Sequence, residues 1–272
     1  MIKTTCSLIV STYNWTPALR LCLESIRRQR VMPHELIIAD DGSTEDTRAV
    51  IEQYQNIFSI PVKHIWQPDE GYQLARIRNK AFAASSSDYI VQIDGDLILH
   101  PHFIADHLAF CAPGSFVSGA RAMIPKELSA QLLQSQHLPA SISRSQLQKK
   151  YNAVYSKTLA ALNYLFQRGR KNYQYVLGCN MAFWRNDLLQ VNGYNEAFAG
   201  WGKEDNDIAI RLINAGVQLR FIKFGAIVYH LFHKEAARSL FAANEELFQK
   251  SLINKITYVP KGMNQYISEP VN

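Results

Sequence analysis

This chain of 272 residues contains only four cysteines, and no two of them form a Cys-x-x-Cys pair. Cys6, Cys22, Cys111 and Cys179 are scattered, which argues against structural zinc and against a disulfide framework. A reducing compartment is therefore expected, and Cys6, in an apolar strand, should be core. No apolar run reaches the ~18 residues of a membrane-spanning helix. The N-terminus has no basic region followed by an apolar core, so no export signal is expected. Charge of one sign is not in large excess either. Lys and Arg number 29 against 23 Asp and Glu, a net +6. That surplus suits an anionic substrate or contact with anionic lipid and identifies neither. The basic cluster Gln167-Arg168-Gly169-Arg170-Lys171 reads as a solvated turn. It lacks the interleaved aromatics on which single-strand binders stack bases, so no nucleic acid is expected as a partner. The chain reads as a soluble cytoplasmic protein, with peripheral contact at the inner membrane face left open.

What is present is an ordinary globular composition, 47% hydrophobic and 19% charged, in a chain long enough to bury a sizeable core. One stretch organises it: YIVQIDGDLILH, residues 89–100. Its first five residues are mainly β-forming and run straight into Asp94-Gly95-Asp96. A short apolar run that ends at a glycine reads as a buried strand of an α/β sheet. Open α/β sheets bind ligands beyond the carboxyl ends of their strands. Two carboxylates therefore stand where a ligand should be, and the glycine lets another group come close. Hard cations take such carboxylates together with phosphate oxygens. The alternative is an acidic turn after a strand.

The flanking chain repeats strand and helix. Residues 6–10 form a first strand ending in Ser11-Thr12-Tyr13-Asn14, small polar residues and an aromatic that can hold a base. Thr16-Pro17 looks like an N-cap and first helical residue of a helix to about residue 29. A strand over 35–39 ends in Asp40-Asp41-Gly42-Ser43. Ser43 or Thr44 can cap the next helix, and 61–66 is a short third strand. Residues 71–84 read as a helix carrying Arg76 and Arg78. These two could neutralise a diphosphate or belong to a solvated face. The order so far gives a parallel sheet with crossovers.

A helix to about residue 110 and a strand over 116–120 follow. Residues 121–171, rich in Gln, Ser, Lys and Arg, read as an inserted helical subdomain or lid. Regular structure returns at 175–183. After a turn at Gly193-Tyr194-Asn195-Glu196 comes Gly200-Trp201-Gly202-Lys203-Glu204-Asp205-Asn206-Asp207, leading into a helix over 208–215. Acidic residues suit a helix N-terminus for electrostatic reasons alone. Trp201 between two glycines can also stack on a sugar, and a carboxylate beside it can accept a proton from a sugar hydroxyl. Strands over 217–221 and 226–229 end at His230, with His233 three residues on. One histidine at a strand end is usually structural, but imidazole is also the commonest transition-metal ligand. A helical tail should run from 234 to about 252.

Together these motifs resemble family 2 glycosyltransferases of the GT-A fold. They are similar, more narrowly, to the subgroup whose C-terminal half is like the β-1,4-galactosyltransferases and bacterial chondroitin polymerases. The match covers residues 5–120 and 173–233. The resemblance implies an α/β fold with a Rossmann-like, mostly parallel central sheet flanked by helices, with a helical insertion. Within one domain, 1–120 would be the nucleotide-sugar half and 121–172 a lid near the acceptor groove. Residues 173–240 would be the acceptor-binding and catalytic half, and 241–272 a tail. It implies that Ser11, Tyr13 and Asp41 hold the uracil end of a UDP-sugar and that Asp94 contacts ribose or the donor sugar. Asp96 and His230 would bind Mn²⁺ or Mg²⁺. Trp201 and Glu204 would hold a glycan or glycolipid acceptor, and Asp205 would be the base. Lys203 stands where this subgroup usually has glycine, and His233 is a second candidate ligand.

The chemistry is consistent with these roles. A metal on a diphosphate stabilises the leaving group, and a carboxylate opposite deprotonates the acceptor hydroxyl. One inverting displacement gives a β-linkage and needs no Ser or Cys nucleophile. Two rivals differ in class. A phosphatase would use Asp94 as nucleophile and Asp96 as acid, but such enzymes carry the motif on their first strand. A non-catalytic sugar-binding module would keep the fold without turnover.

Overall fold

The computed structural model describes residues 4–167, 172–234 and 240–267. Four residues of the basic cluster, 168–171, lie outside the described residues. The first half is β1 (Cys6–Thr12), α1 (Thr16–Arg27), β2 (Glu35–Asp40), α2 (Glu45–Gln55), β3 (Val62–Trp66), α3 (Leu74–Ala84) and β4 (Tyr89–Asp94). Then come β5 (Leu97–Leu99), α4 (Phe103–Ala109), β6 (Ser115–Ser118), β7 (Ala120–Met123), α5 (Lys126–Ser135) and α6 (Lys157–Leu165). The remainder is β8 (Asn180–Trp184), α7 (Arg185–Val191), α8 (Glu204–Asn214), β9 (Gln218–Phe221), β10 (Ile227–His230) and α9 (Phe241–Ile253). No described helix is long and apolar enough to cross a membrane.

The seven-stranded sheet has the order β3-β2-β1-β4-β8-β6-β9. It is parallel except where β8 runs antiparallel to β4 and β6. Every residue of β1 and β2 is buried, and so is β4 up to Asp94. Both faces are covered, which is why these strands are apolar runs rather than alternating ones. Leu8 and Val10 of β1 pack with Leu19 and Leu23 of α1 and Val50 of α2. Ile9 faces the other way, into Ile77 and Phe82 of α3 and Ile208 of α8.

Several boundaries differ from the sequence reading. Trp15, not Thr16, is the N-cap of α1, and Pro17 sits in the first turn, where its missing N–H is no loss. The single strand expected over 116–120 is two, β6 and β7, in different sheets. They part at Gly119, where the Asn180 side chain fills the space a Cβ would need. The short strand β5 and helix α7 were not anticipated. Helix α8 starts at Glu204, one turn earlier than expected, because its acidic residues are its first turn. Its Asp207 is structural. It is fully buried and bound by Arg211 Nε (2.7 Å) and Ser251 Oγ (2.6 Å). Within the insertion, Leu132, Leu138 and Leu147 join a core with Ala18 and Leu21 of α1.

β5, β10 and β7 form a second sheet of three strands. Its register sets His230 opposite Leu97, one residue past Asp96. The Leu231 N–H then donates to the Asp96 carbonyl (3.1 Å). The C-terminal half is thereby tied to the Asp-Gly-Asp stretch.

Candidate active site

A cleft of about 1010 Å³ opens at the carboxyl ends of β1 and β4. It is lined by Ser11, Tyr13, Asp41, Arg78, Asp94 and Asp96 from the first half, and by Trp201, Glu204, Asp205, His230 and His233 from the second. Arg76 is the one expected site residue absent from that lining. Two residues from Arg78 on α3, it points away and pairs with Glu70 (2.6 Å).

At the nucleotide end, Asp41 is nearly buried. Its oxygens accept from Gln67 Nε2 (2.6 Å) and the Gln73 N–H (2.9 Å). Burial pushes its carboxyl above the usual range, against the pull of these two donors. Gly42 follows with φ +94°, and a Cβ there would meet the Asp69 backbone. Tyr13 is half exposed and donates to Asp69 (2.9 Å). Its open ring can pack against a planar base.

Gly95 turns the chain between the two acidic residues, and its N–H donates to the Ser11 carbonyl (2.7 Å). Asp94 accepts from Arg78 Nη2 (2.9 Å). Asp96 Oδ2 lies 3.5 Å from His230 Nε2 and 3.2 Å from His233 Nε2. Both rings approach the backbone carbonyl of the next residue through Nδ1, at 2.7 Å to Leu231 and to Lys234. Nδ1 must carry the proton there, which turns the Nε2 atoms toward Asp96. The three ligand atoms lie within 4.8 Å of one another. Asp96 Oδ1 is buried without a partner, the kind of orphaned oxygen that a cation would satisfy. By position and by its orphaned oxygen the trio fits a divalent ion, and both histidines reach it. The Asp96 contact raises the His233 pKa to about 9, so the ion would have to displace the Nε2 proton of that imidazole.

Arg78 joins the two ends of the cleft. It is 1% exposed and reaches Asp94, Asp205 Oδ1 (2.9 Å) and Ser11 Oγ (3.3 Å). Burial works against its charge, but the carboxylates and Tyr194 around it hold its pKa well above normal. Its charge is spent on two protein carboxylates, so it is not free to neutralise a diphosphate. Among the described residues, Arg121 of β7 is a cleft-lining cation with no carboxylate partner. Its Nη1 rests 3.6 Å from Cys179 Sγ. The signal for it is an arginine between two alanines in a strand.

Asp205 accepts through Oδ1 from Arg78 and from the Tyr194 hydroxyl (2.9 Å). Oδ2 has no donor among the described residues. Tyr194 in turn accepts from Gln92 Nε2 (2.7 Å), which also donates to the Gly178 carbonyl (2.7 Å). A Cβ at Gly178 would overlap the Asp205 carboxylate. Tyr194 and Gln92 were missed as site residues, although Gln92 is a lone polar residue in an apolar strand. Glu204 is buried beside them and accepts from the Gly202 N–H (3.0 Å). Burial, then the neighbouring Asp205 charge, push its pKa up to about 7. Trp201 stacks on Phe241 of α9 (6.1 Å, 24°). Lys203 pairs with Glu245 (2.7 Å) and lies over the Phe241 and Phe248 rings.

Comparison with known proteins identifies two matching family profiles. The profile of glycosyl transferase family 2 matches residues 7–177, and that of the N-terminal domain of galactosyltransferase matches 163–234. The chondroitin synthase of Escherichia coli is 26% identical over 238 residues, 82% of this chain and 34% of its own length. This chain thus spans about a third of that relative. S. aureus TarS 1-349 in complex with UDP-GlcNAc superposes with a TM-score of 0.63 at 14% identity, over 96% of this chain and 69% of that one. The mannosyltransferase PcManGT from Pyrobaculum calidifontis, in complex with GDP-Man and Mn²⁺, gives 0.60 at 16%, over 94% and 64%. At these identities the likeness is one of fold, and that fold is the GT-A fold expected from the motifs.

Proposed function

This chain belongs to glycosyl transferase family 2, and we propose that it moves a sugar from a UDP-sugar to a hydroxyl of a glycan or glycolipid acceptor, with inversion to a β-linkage. One observation carries the reading: the Asp96 trio and Asp205 line the same cleft, and Arg78 bridges Asp205 to Asp94, two residues before Asp96. Ser11, Tyr13 and Asp41 would hold the uracil end and Asp94 the ribose or donor sugar. Arg121, rather than Arg76 or Arg78, would meet the diphosphate.

Asp96, His230 and His233 would hold a divalent ion, whose charge offsets that of the departing diphosphate. Two imidazoles with one carboxylate favour Mn²⁺ over Mg²⁺, which prefers an all-oxygen shell. Asp205 Oδ2 takes the acceptor hydroxyl proton as that oxygen bonds to the anomeric carbon. The anomeric carbon–phosphate oxygen bond breaks, and UDP leaves with its electron pair. Arg78 and Tyr194 hold Oδ1, so that Oδ2 stays turned to the cleft. Trp201 and Phe241 offer the acceptor a flat apolar wall, and Glu204 would bind its hydroxyls. A pKa near 7 also suits Glu204 to the base role, so exchange of roles with Asp205 is the second reading. The reducing cytoplasm, on the inner membrane face, is the proposed site of action.

The test is UDP release from a panel of UDP-sugars with and without glycan acceptors, in Mn²⁺, Mg²⁺ and chelator. Acceptor-dependent release that stops in chelator supports the reading. Donor binding without release in any combination would leave a binding module instead.

A further inference from the structure

The outward face of α6 is the inverse of a normal surface helix. Surface helices bury their apolar stripe and expose their polar one. Here Ala160 is buried and Tyr164 packs inward on Phe110 (ring centroids 4.8 Å). The opposite face presents Leu159 and Leu162, each 46% exposed, then Leu165 at 73% and Phe166 at 80%. Leu159, Leu162 and Phe166 are spaced three and four apart, so they form one stripe. Tyr175 nearby in sequence is also open to solvent.

The segment of chain that carries this stripe is charged with one sign. Between Glu127 and Asp187 the chain has no acidic residue, but it has eight Lys or Arg. Lys149, Lys150 and Lys157 among them are exposed. Arg220 flanks the C-terminal end of the helix, with its guanidinium 4.6 Å over the Tyr164 ring. A second copy of this chain would bring like charges together across such a face. An anionic bilayer surface would not. Leu and Phe would enter the headgroup boundary while Lys and Arg met the lipid phosphates, with Tyr at the interface.

We propose that the α6 face, Leu159, Leu162, Leu165 and Phe166 with its surrounding cations, is a docking surface for an anionic lipid bilayer. It is remote in kind from the cleft chemistry, and its readout is lipid binding. It therefore stands or falls separately from the transfer reaction.

Flotation of the full chain with vesicles decides it. Wild-type protein should float with phosphatidylcholine vesicles that contain phosphatidylglycerol, and not with phosphatidylcholine alone. Binding should fall as salt is raised. Leu162→Ser with Phe166→Ser should lower the partition coefficient about tenfold or more, at an unchanged melting temperature. If the pair melts early, Phe166→Ser alone, at the most exposed position, makes the same test. No binding to the anionic vesicles, or equal binding by the variants, overturns the proposal. So does a dimer in solution that the same substitutions dissolve, since a second copy would then cover the face.

Discussion

Asp94 and Asp96 stand at the end of a strand with both faces buried, whereas Trp201 lies within, and Glu204 and Asp205 just after, a turn that uses three left-handed residues. Gly200 (φ 68°), Gly202 (φ 111°) and Lys203 (φ 75°) close that turn. The donor wall takes its geometry from sheet register: Ser11 is set opposite Asp94 in the β1–β4 pairing. The acceptor wall takes its geometry from side chains far away in sequence. Arg78 and Tyr194 fix Asp205, and α9 fixes the turn through Phe241 and Glu245. A substitution on the donor wall should remove chemistry and leave shape alone. One among the residues that hold the acceptor wall in place should act largely through position.

The largest expected effect tests the donor wall. Asp96→Ala should abolish nearly all turnover together with Mn²⁺-dependent thermal stabilisation, because the ion loses its carboxylate. Full activity of this variant in chelator would remove the metal from the reading. Next comes Asp205→Asn, which keeps shape but not basicity. It should cost ~10²–10⁴-fold in kcat, with UDP-sugar binding by calorimetry unchanged. A dead Glu204→Gln beside an active Asp205→Asn would exchange the two roles.

Tyr194→Phe sharpens the contrast, since it removes one hydroxyl and no chemistry. A hydrogen bond to a charged group is worth roughly 1.5–3 kcal/mol, so about a tenfold or greater fall in kcat is expected with the KM for donor unchanged. A structural role alone would lower the melting temperature and leave kcat in place. A smaller effect concerns Glu204. Its pKa rises from 4.5 to about 7 on folding, so between these values the folded state binds more protons than the unfolded one. Stability must then fall as pH rises through that window. Glu204→Gln removes this loss. The melting-temperature gap between variant and wild type should widen in the variant's favour from pH 5 to pH 7. A constant gap would mean that Glu204 is not buried beside a second charge.

The contrast also explains what was legible in sequence. Asp94-Gly95-Asp96 announces itself because a strand end is a local event, and so do the polar ends of β1 and β2. His233 could not be separated from His230, because the choice depends on β10 pairing with β5, a strand of three residues that has no pattern of its own. Arg78 looked like a phosphate ligand, because nothing local reveals a carboxylate 127 residues further on. Tyr194 looked like a turn residue for the same reason. Asp207 looked like its acidic neighbours, yet it turns into the core to meet Arg211, one helical turn on.

Lys203 provides the smallest and most discriminating test, because it holds a left-handed conformation (φ 75°) that glycine adopts without strain. As a non-glycine residue in the left-handed region it costs about 1–2 kcal/mol of local strain. Against that it gains a partly exposed pair with Glu245 and cation–π contact with Phe241 and Phe248, each about 0.5–1 kcal/mol. Lys203→Gly relieves the strain, loses the contacts and adds freedom to the unfolded chain. These terms nearly cancel, so the melting temperature should move by only a few degrees. The turn, however, loses its ion pair to α9 and keeps the Trp201–Phe241 stack, and Trp201 is held less firmly. The KM for acceptor should rise several-fold while donor and metal binding stay as they were. If donor affinity fell in step with acceptor affinity, the two walls would be one mechanical unit, and the contrast between them would fail.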